Sequence, residues 1–272
     1  MSACSVVQVV YNQAPNYVYW RMNSAMNLDD AQQDVLRSAT RGWFAWNRSS
    51  QLPLMARFLM QARQDALGDI TPELACRRRE EMESWARAAI DRASMQFARV
   101  AVSLSGDQID HLRDHFVSLN EDFVDDYLPE DPQERREAAD KFALRWIEMF
   151  YDDLDGTQRQ RLSDDIARLP FDARVIHQQQ LYFQHRLLAM LRQFRAQHVS
   201  AHQAEPQIRA LLMDMVAPTD PVRQADMARW IAAGCQMAAS VHNRSTEAQR
   251  RHASERFRRW QSDLLTLSGA AS

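Results

Sequence analysis

The chain has 272 residues, of which 46% are hydrophobic and 25% are charged, a composition typical of a folded globular protein. Its formal net charge of -3 argues against a dedicated nucleic-acid-binding protein, whose affinity depends on a surplus of basic residues. With only 6 glycines, the chain has few positions for the positive-φ turns and phosphate-binding loops that glycine permits.

The first residues resemble a lipid-attachment signal. Met1-Ser2-Ala3-Cys4-Ser5 looks like the end of a bacterial lipoprotein leader, in which small residues precede a cysteine that becomes acylated. The apolar segment of about 7 to 15 residues that a secretory leader needs does not come before it. Either Met1 replaces a native leader and Cys4 is acylated, or Cys4 is an ordinary residue near the terminus of a cytosolic protein.

The chain after residue 15 is predicted to be almost wholly helical. Residues 1–15 are expected to hold the lipidation site and an apolar, not clearly helical segment that packs on the body. From Thr71 to Ser103 apolar residues recur at steps of three and four, and Thr71-Pro72 supplies an N-cap and a proline at the first helical position. Similar stripes predict helices around residues 109–127, 142–150, 176–194, 222–241 and 257–267.

The breaks between these helices are short and marked by proline, at residues 128–132, 169–172 and 217–221. None of them is a Gly/Ser linker, so we expect one helical domain over residues 16–272. The predicted fold class is all-α, a single elongated multi-helix bundle. No segment approaches the roughly 20 consecutive apolar residues of a membrane-spanning helix.

One short sequence motif, Leu-x-x-x-Gln in most of its copies, recurs at the starts of predicted helices. A Ser, Thr or Asp at the N-cap can accept from the third helical amide, while a Gln three residues on reaches back to the N-cap amide, which is a capping box. Capping alone accounts for the phrase, and its uneven spacing excludes a solenoid repeat. It occurs at Leu28-Asp29-Asp30-Ala31-Gln32, Leu104-Ser105-Gly106-Asp107-Gln108, Leu154-Asp155-Gly156-Thr157-Gln158 and, more loosely, Thr246-Glu247-Ala248-Gln249.

The cysteines form neither a disulfide framework nor a metal knuckle, because no two of the 3 lie close together in sequence. Cys76 and Cys235 fall within predicted helices. We expect them to be small buried thiols, with a bridge between them as the alternative.

A metal site is the main candidate for chemistry. His111 and His115 are one helical turn apart, which suits two ligands of zinc or copper, and His198 and His202 repeat the spacing. Neither pair has a third ligand nearby in sequence, so a solvated helix face is the favoured interpretation. Acidic clusters at residues 122–126 and 152–155 do not have the spacing of the Asp-rich turns of isoprenoid synthases. Recognised catalytic motifs are absent, so we predict neither an enzyme nor a cofactor.

With these features placed, the whole chain resembles an uncharacterised family of proteobacterial lipoproteins known only as a domain of unknown function. The chain departs from the family pattern at Asn47, where His is expected, and has Gln51 where either Gln or Glu is expected. The residues that carry the resemblance are Ser2-Ala3-Cys4, Tyr11-Asn12, Leu28-Asp29-x-x-Gln32, Trp46-Asn47-Arg48, Gln51-Leu52-Pro53, Phe123 to Tyr127, Leu154 to Gln158 and Leu211-Leu212-Met213-Asp214.

The resemblance implies a protein acylated at Cys4 and held in the periplasm by its acyl chains, at the outer membrane because Ser5 rather than Asp follows the cysteine. The resemblance gives no information about a biochemical activity. More distantly, the Leu-x-x-x-Gln phrases are similar to the Leu-Thr-x-x-Gln motif of periplasmic helical stress proteins of the Spy and CpxP kind. We therefore expect a binding, scaffold or chaperone-like accessory protein with a protein partner. The alternative is a metal-responsive sensor or buffer that uses His111 and His115.

Overall fold

A computed structural model describes residues 5–170 and 172–270, and within these ranges every regular element is helical and no strand occurs. This confirms the all-α fold class. In chain order the helices are α1 (Val6–Met26), α2 (Asp30–Trp46), a π-helical turn (Asn47–Gln51), α3 (Leu52–Asp65), α4 (Pro72–Ala101), α5 (Gly106–Tyr127), α6 (Pro132–Tyr151), α7 (Gly156–Ala167), α8 (Ala173–Ala196), α9 (Ala201–Val216), α10 (Pro221–Asn243) and α11 (Glu247–Ser268).

Helix α1 begins ten residues before the predicted start of the helical region, so the expectation that residues 5–15 are not clearly helical is wrong. The Ser5 side chain caps the helix by accepting from the amide of Gln8 at 3.2 Å. The valines of this segment favour strands only weakly, and Val6, Val9 and Val10 are exposed on the helix. Pro15 lies inside the helix, where it removes a single amide donor.

Helix α4 confirms the long helix predicted from residue 71. It starts at Pro72, directly after the Thr71 hydroxyl that accepts from the amide of Leu74 at 3.2 Å. Its 30 residues correspond to a length of about 45 Å.

The chain divides into two compact units, each assembled from separate stretches of sequence. Unit 1 comprises Met1–Leu52, Glu83–Glu121 and His177–Thr219, and unit 2 comprises Pro53–Met82, Asp122–Ile176 and Asp220–Ser272. The prediction of one domain over residues 16–272 stays a prediction.

Unit 1 has a continuous hydrophobic core contributed by α2, α4, α5, α8 and α9. Phe194, Ala98 and Ala204 are almost completely shielded from solvent, with exposures of 1%, 0% and 0%. Other buried members of this core are Leu28, Leu36, Val100, Ala101, Leu104, Ile109, Leu112, Leu188, Leu191 and Ile208.

Two of the predicted capping boxes meet in unit 1. The Gln32 amide nitrogen donates to Gln108 Oε1 at 3.0 Å, and the Gln108 amide nitrogen donates to Gln32 Oε1 at 2.6 Å. Each nitrogen also donates to a backbone carbonyl, of Ser103 at 2.8 Å and of Asn27 at 2.9 Å respectively. Both side chains are buried, so the starts of α2 and α5 are joined by a fully bonded polar pair.

Unit 2 repeats this arrangement. The amide nitrogens of Gln158 and Gln249 donate to each other's Oε1 atoms at 2.9 and 3.1 Å. Gln249 also donates to the carbonyl of Asp153 at 3.0 Å, and Gln158 donates to the carbonyl of Arg244 at 3.4 Å. The starts of α7 and α11 are thereby paired. A further capping box at Ser200 and Gln203 was not predicted.

Unit 2 also contains a disulfide. Cys76 and Cys235 are bonded, with Cα atoms 5.4 Å apart and a sequence separation of 159 residues. The expectation of two free buried thiols is therefore wrong. Cys235 is buried and Cys76 is half-buried, and folding brings them to bonding distance.

Loss of one paired glutamine should destabilise the protein more than loss of an ordinary capping glutamine. Gln32→Ala removes both hydrogen bonds of the reciprocal pair and leaves the buried Gln108 amide without these partners, so we expect the free energy of unfolding to fall by about 2 to 4 kcal/mol. Gln203→Ala, at an exposed capping box without a glutamine partner, should cost below about 1 kcal/mol. Urea denaturation followed by circular dichroism measures both, and equal losses would contradict the role assigned to the pair.

Reduction of the disulfide should also destabilise the protein. Because the bond constrains a long stretch of the unfolded chain, Cys235→Ala should lower the stability of unit 2 by about 2 to 5 kcal/mol. Non-reducing electrophoresis and thiol titration test whether the bond is present in the purified wild-type protein. Two titratable thiols per folded chain, in addition to that of any unmodified Cys4, would contradict it.

Candidate functional site: an apolar pocket in unit 1

Unit 1 contains a pocket with a volume of about 370 Å³. Its walls come from α1, α2, α4 and α9, and nearly all of the atoms that face it are carbon. The lining residues are Val18, Met22, Leu36, Ala39, Thr40, Trp43, Phe44, Ala89, Ile90, Ala93, Gln96, Phe97, Val100 and Leu212.

The few polar side chains of the lining already have partners within unit 1. The Thr40 hydroxyl donates to the carbonyl of Leu36 at 2.8 Å, and the Trp43 indole nitrogen donates to the carbonyl of Ala89 at 3.3 Å. Gln96 Oε1 accepts from Arg99 at 3.4 Å. A ligand would therefore meet a surface that offers contact area rather than directional hydrogen bonds.

The pocket reaches from the core of unit 1 to solvent. Of its lining residues, Leu36 and Val100 are each 3% exposed, whereas Phe97 is 38% exposed. Trp43 packs edge to face against Phe44, with ring centroids 5.0 Å apart, a geometry that aromatic pairs prefer.

Of this lining, the sequence indicated only the part on α4, as an ordinary core stripe of apolar residues at steps of three and four between Thr71 and Ser103. Ala89, Ala93, Phe97 and Val100 lie on one face of that helix, and small residues of two helices, Ala89 and Ala93 of α4 and Ala39 of α2, line the pocket together. That juxtaposition depends on helix packing and has no counterpart within a single stretch of sequence.

A polar cluster lies at the π-helical turn of unit 1 and contains several residues of the predicted family pattern. The Tyr11 hydroxyl donates to Asn47 Oδ1 at 2.7 Å, and Arg48 donates to Asn12 Oδ1 at 3.0 Å. Arg48 also lies over the Tyr11 ring, 5.2 Å from its centroid. Burial raises the pKa of Tyr11, and the Arg48 charge opposes that shift. Gln51 is buried, and its Oε1 accepts no hydrogen bond from the described residues.

The predicted lipidation residue Cys4 lies outside the described residues. The predicted metal pair lies on α5, where His111 Nε2 is 3.0 Å from the carbonyl oxygen of Ser24. Burial, with the charges of Arg21 and His111 adding to it, lowers the pKa of His115. Among the described residues no group of three or more His, Cys, Asp or Glu side chains is placed to hold a metal ion. The metal-sensor alternative stays a prediction.

Unit 2 contains a buried histidine that the sequence did not single out. His242 is 3% exposed. Its Nε2 lies 2.7 Å from the carbonyl oxygen of Gly68, and its Nδ1 lies 2.8 Å from the Tyr151 hydroxyl. Since a carbonyl only accepts, Nε2 carries a proton. In the neutral imidazole Nδ1 then accepts from the Tyr151 hydroxyl, and both ring nitrogens have partners.

Burial accounts for the titration behaviour of this group. Desolvation lowers the pKa of His242, with the Arg250 charge acting in the same direction and the Gly68 hydrogen bond and the charges of Asp69 and Asp65 opposing it. Desolvation also raises the pKa of Tyr151 to about 12. The hydroxyl therefore stays protonated and able to donate at neutral pH.

Stability should fall in mild acid because of His242. Its folded-state pKa is lowered, so the unfolded chain takes up a proton first, near pH 6.5, and stability is lost as the pH falls from there toward the folded-state pKa. One proton gives a slope of at most about 1.4 kcal/mol per pH unit. His242→Gln should reduce the slope of unfolding free energy against pH, whereas His185→Gln, at an exposed position, should not. The same slope in all three proteins would contradict this assignment.

Comparison with known protein families assigns the chain to a family. A model of a family of unknown function, DUF6279, matches residues 24–217. The chain therefore belongs to this uncharacterised family. No match was found among the curated proteins or among the solved structures. The matched residues include α2 to α9 and most of the pocket, so the pocket lies largely within the part of the chain that defines the family.

Proposed function

We propose that this protein is a lipid-anchored periplasmic protein that acts by binding an apolar ligand or segment in the pocket of unit 1, without chemistry of its own. The single observation that carries the proposal is the pocket. Its volume of about 370 Å³ lies in the range of small-molecule sites. Its lining contains no Ser, Cys, His, Asp, Glu or Lys that could act as a nucleophile or a general acid or base, and its one hydroxyl, on Thr40, donates to the carbonyl of Leu36.

The disulfide of unit 2 supports an exported protein. Disulfides form and persist in oxidising compartments such as the bacterial periplasm and are rare in the cytosol. The bond between Cys76 and Cys235 thus favours the first of the two interpretations of Cys4, that the native gene carries a leader.

The outer face of α1 supports a position beside a membrane. Val6, Val10, Tyr17 and Trp20 lie along one face of the helix and are 78%, 62%, 60% and 59% exposed. Arg21 is the one charged residue among the 21 of this helix. Trp and Tyr favour the boundary between lipid and water, and this face follows directly after the predicted acylation site.

No helix among the described residues is both long and apolar enough to cross a bilayer. Attachment through Cys4 would therefore supply the anchor in this proposal. Each buried methylene of an acyl chain contributes about 0.8 kcal/mol.

Filling the pocket should abolish binding of an apolar probe. The fluorescence of N-phenyl-1-naphthylamine should rise with the wild-type protein, and Ala39→Trp should remove most of that rise because the indole occupies the pocket. Ala45→Trp, at an exposed position on the same helix α2, should bind the probe as the wild type does. Binding that survives Ala39→Trp would place the apolar site elsewhere.

Membrane attachment should depend on Cys4. In cells that express the full-length native gene, the protein should sediment with membranes, and Cys4→Ala should move it to a soluble or unprocessed fraction. Cys235→Ala tests whether attachment depends on the other cysteines and should leave the partitioning unchanged. An unmodified Cys4 in cytosolic wild-type protein would remove the main support for the proposed location.

A further inference from the structure

We propose that the ligand of the unit 1 pocket is a single acyl chain with an anionic head, and that Arg99 meets the head at the rim. This rests on the proposed function and specifies its ligand. The argument uses the size of the pocket, the distribution of its lining along the helices and the charge beside its polar rim.

The size of the pocket suits one chain. An apolar cavity of about 150 Å³ accepts a benzene molecule, which has six carbon atoms. By that ratio the pocket, at about 370 Å³, holds roughly fifteen carbon atoms. This is the scale of one acyl chain and is too small for a phospholipid with both of its chains.

The lining is extended along one helix. On α4 it runs from Ala89 to Val100, which spans about 16 Å at 1.5 Å per residue. On α2 it runs from Leu36 to Phe44, about 12 Å. A ligand that contacts all of these positions is elongated, so a flexible chain fits better than a compact polycyclic molecule of equal volume.

The rim supplies one charge. Gln96 lines the pocket, and its Oε1 accepts from Arg99 at 3.4 Å. Arg99 is exposed, one turn of α4 after Gln96, and beside this lining residue its guanidinium is available to pair with a carboxylate or phosphate. Since the other polar atoms of the lining have partners within unit 1, the remainder of the ligand has no need of polar groups.

The test uses the full chain with the substitution Cys4→Ala. Saturated fatty acids of increasing length compete with the probe N-phenyl-1-naphthylamine for this protein, and the loss of probe fluorescence gives their affinities. Affinity should rise about fourfold per added methylene and stop rising near roughly fifteen carbons. Arg99→Gln should lower the affinity for fatty acids by about two- to fivefold and leave the affinities for their methyl esters and for the probe unchanged. The matched control Arg41→Gln, at an exposed position on α2, should bind all three as before.

A second arm separates the sources of the chain. The same protein is mixed with vesicles of phosphatidylethanolamine and phosphatidylglycerol and recovered by gel filtration, and bound lipid is identified by mass spectrometry. Phospholipid in the recovered protein supports the inference, with one of the two chains of a membrane lipid in the pocket. Recovery without phospholipid, together with chain-length-dependent competition, supports a free fatty acid.

The inference fails if fatty acids do not displace the probe and no phospholipid is recovered, or if fatty-acid affinity is independent of chain length. It also fails if Arg99→Gln does not change the affinity for fatty acids. A third contradicting result is that compact polycyclic compounds or an apolar helical peptide displace the probe better than fatty acids do. In those cases probe binding that is lost in Ala39→Trp would still support the proposed function. Absence of any probe binding to the wild-type protein would overturn both.

Discussion

Each compact unit depends on one pair of glutamines that serve two purposes at once. Within its own helix, each glutamine closes a capping box by accepting from the N-cap amide; across the unit, it exchanges hydrogen bonds with its counterpart on another helix. In unit 1 this joins the starts of α2 and α5, and α2 carries one wall of the pocket. A buried primary amide has two donors and two acceptor sites. The reciprocal pair uses one of each, and the N-cap amide and a backbone carbonyl use the others. Replacement of one glutamine by glutamate or leucine would leave its partner unsatisfied.

Helix α1 has two apolar faces, and each is relevant to the proposed function. Val18 and Met22 face the pocket, while Tyr17 and Trp20 are exposed on the opposite side. If the outer face rests on lipid, a single helix separates the membrane surface from the apolar pocket. The two proposals, a membrane-attached protein and an acyl-chain ligand, are then consistent with each other.

The sequence predicted the fold class, the long helix α4 and four capping boxes, because helical periodicity and capping are local properties. It did not predict that the capping glutamines pair, since Gln32 and Gln108 are 76 positions apart and nothing within either phrase identifies a partner. The pocket was missed for the same reason: the stripe on α4 looked like an ordinary core face, and the sequence did not show which residues of α1, α2 and α9 line the pocket with it. The helicity of residues 6–15 was missed because their valines suggested an extended segment.

The interleaved order of the two units has a consequence for the timing of folding. All stretches of unit 1 have been synthesised once Thr219 is in place, whereas unit 2 requires the segment Asp220–Ser272. Cys76 must therefore remain unpaired with Cys235 while the 158 intervening residues follow, given their sequence separation of 159. Contacts between such distant residues form slowly, and partly folded chains that expose apolar surface tend to aggregate. A chain that folds from its amino terminus as it is synthesised can thus complete the unit with the pocket first and then close the unit with the disulfide.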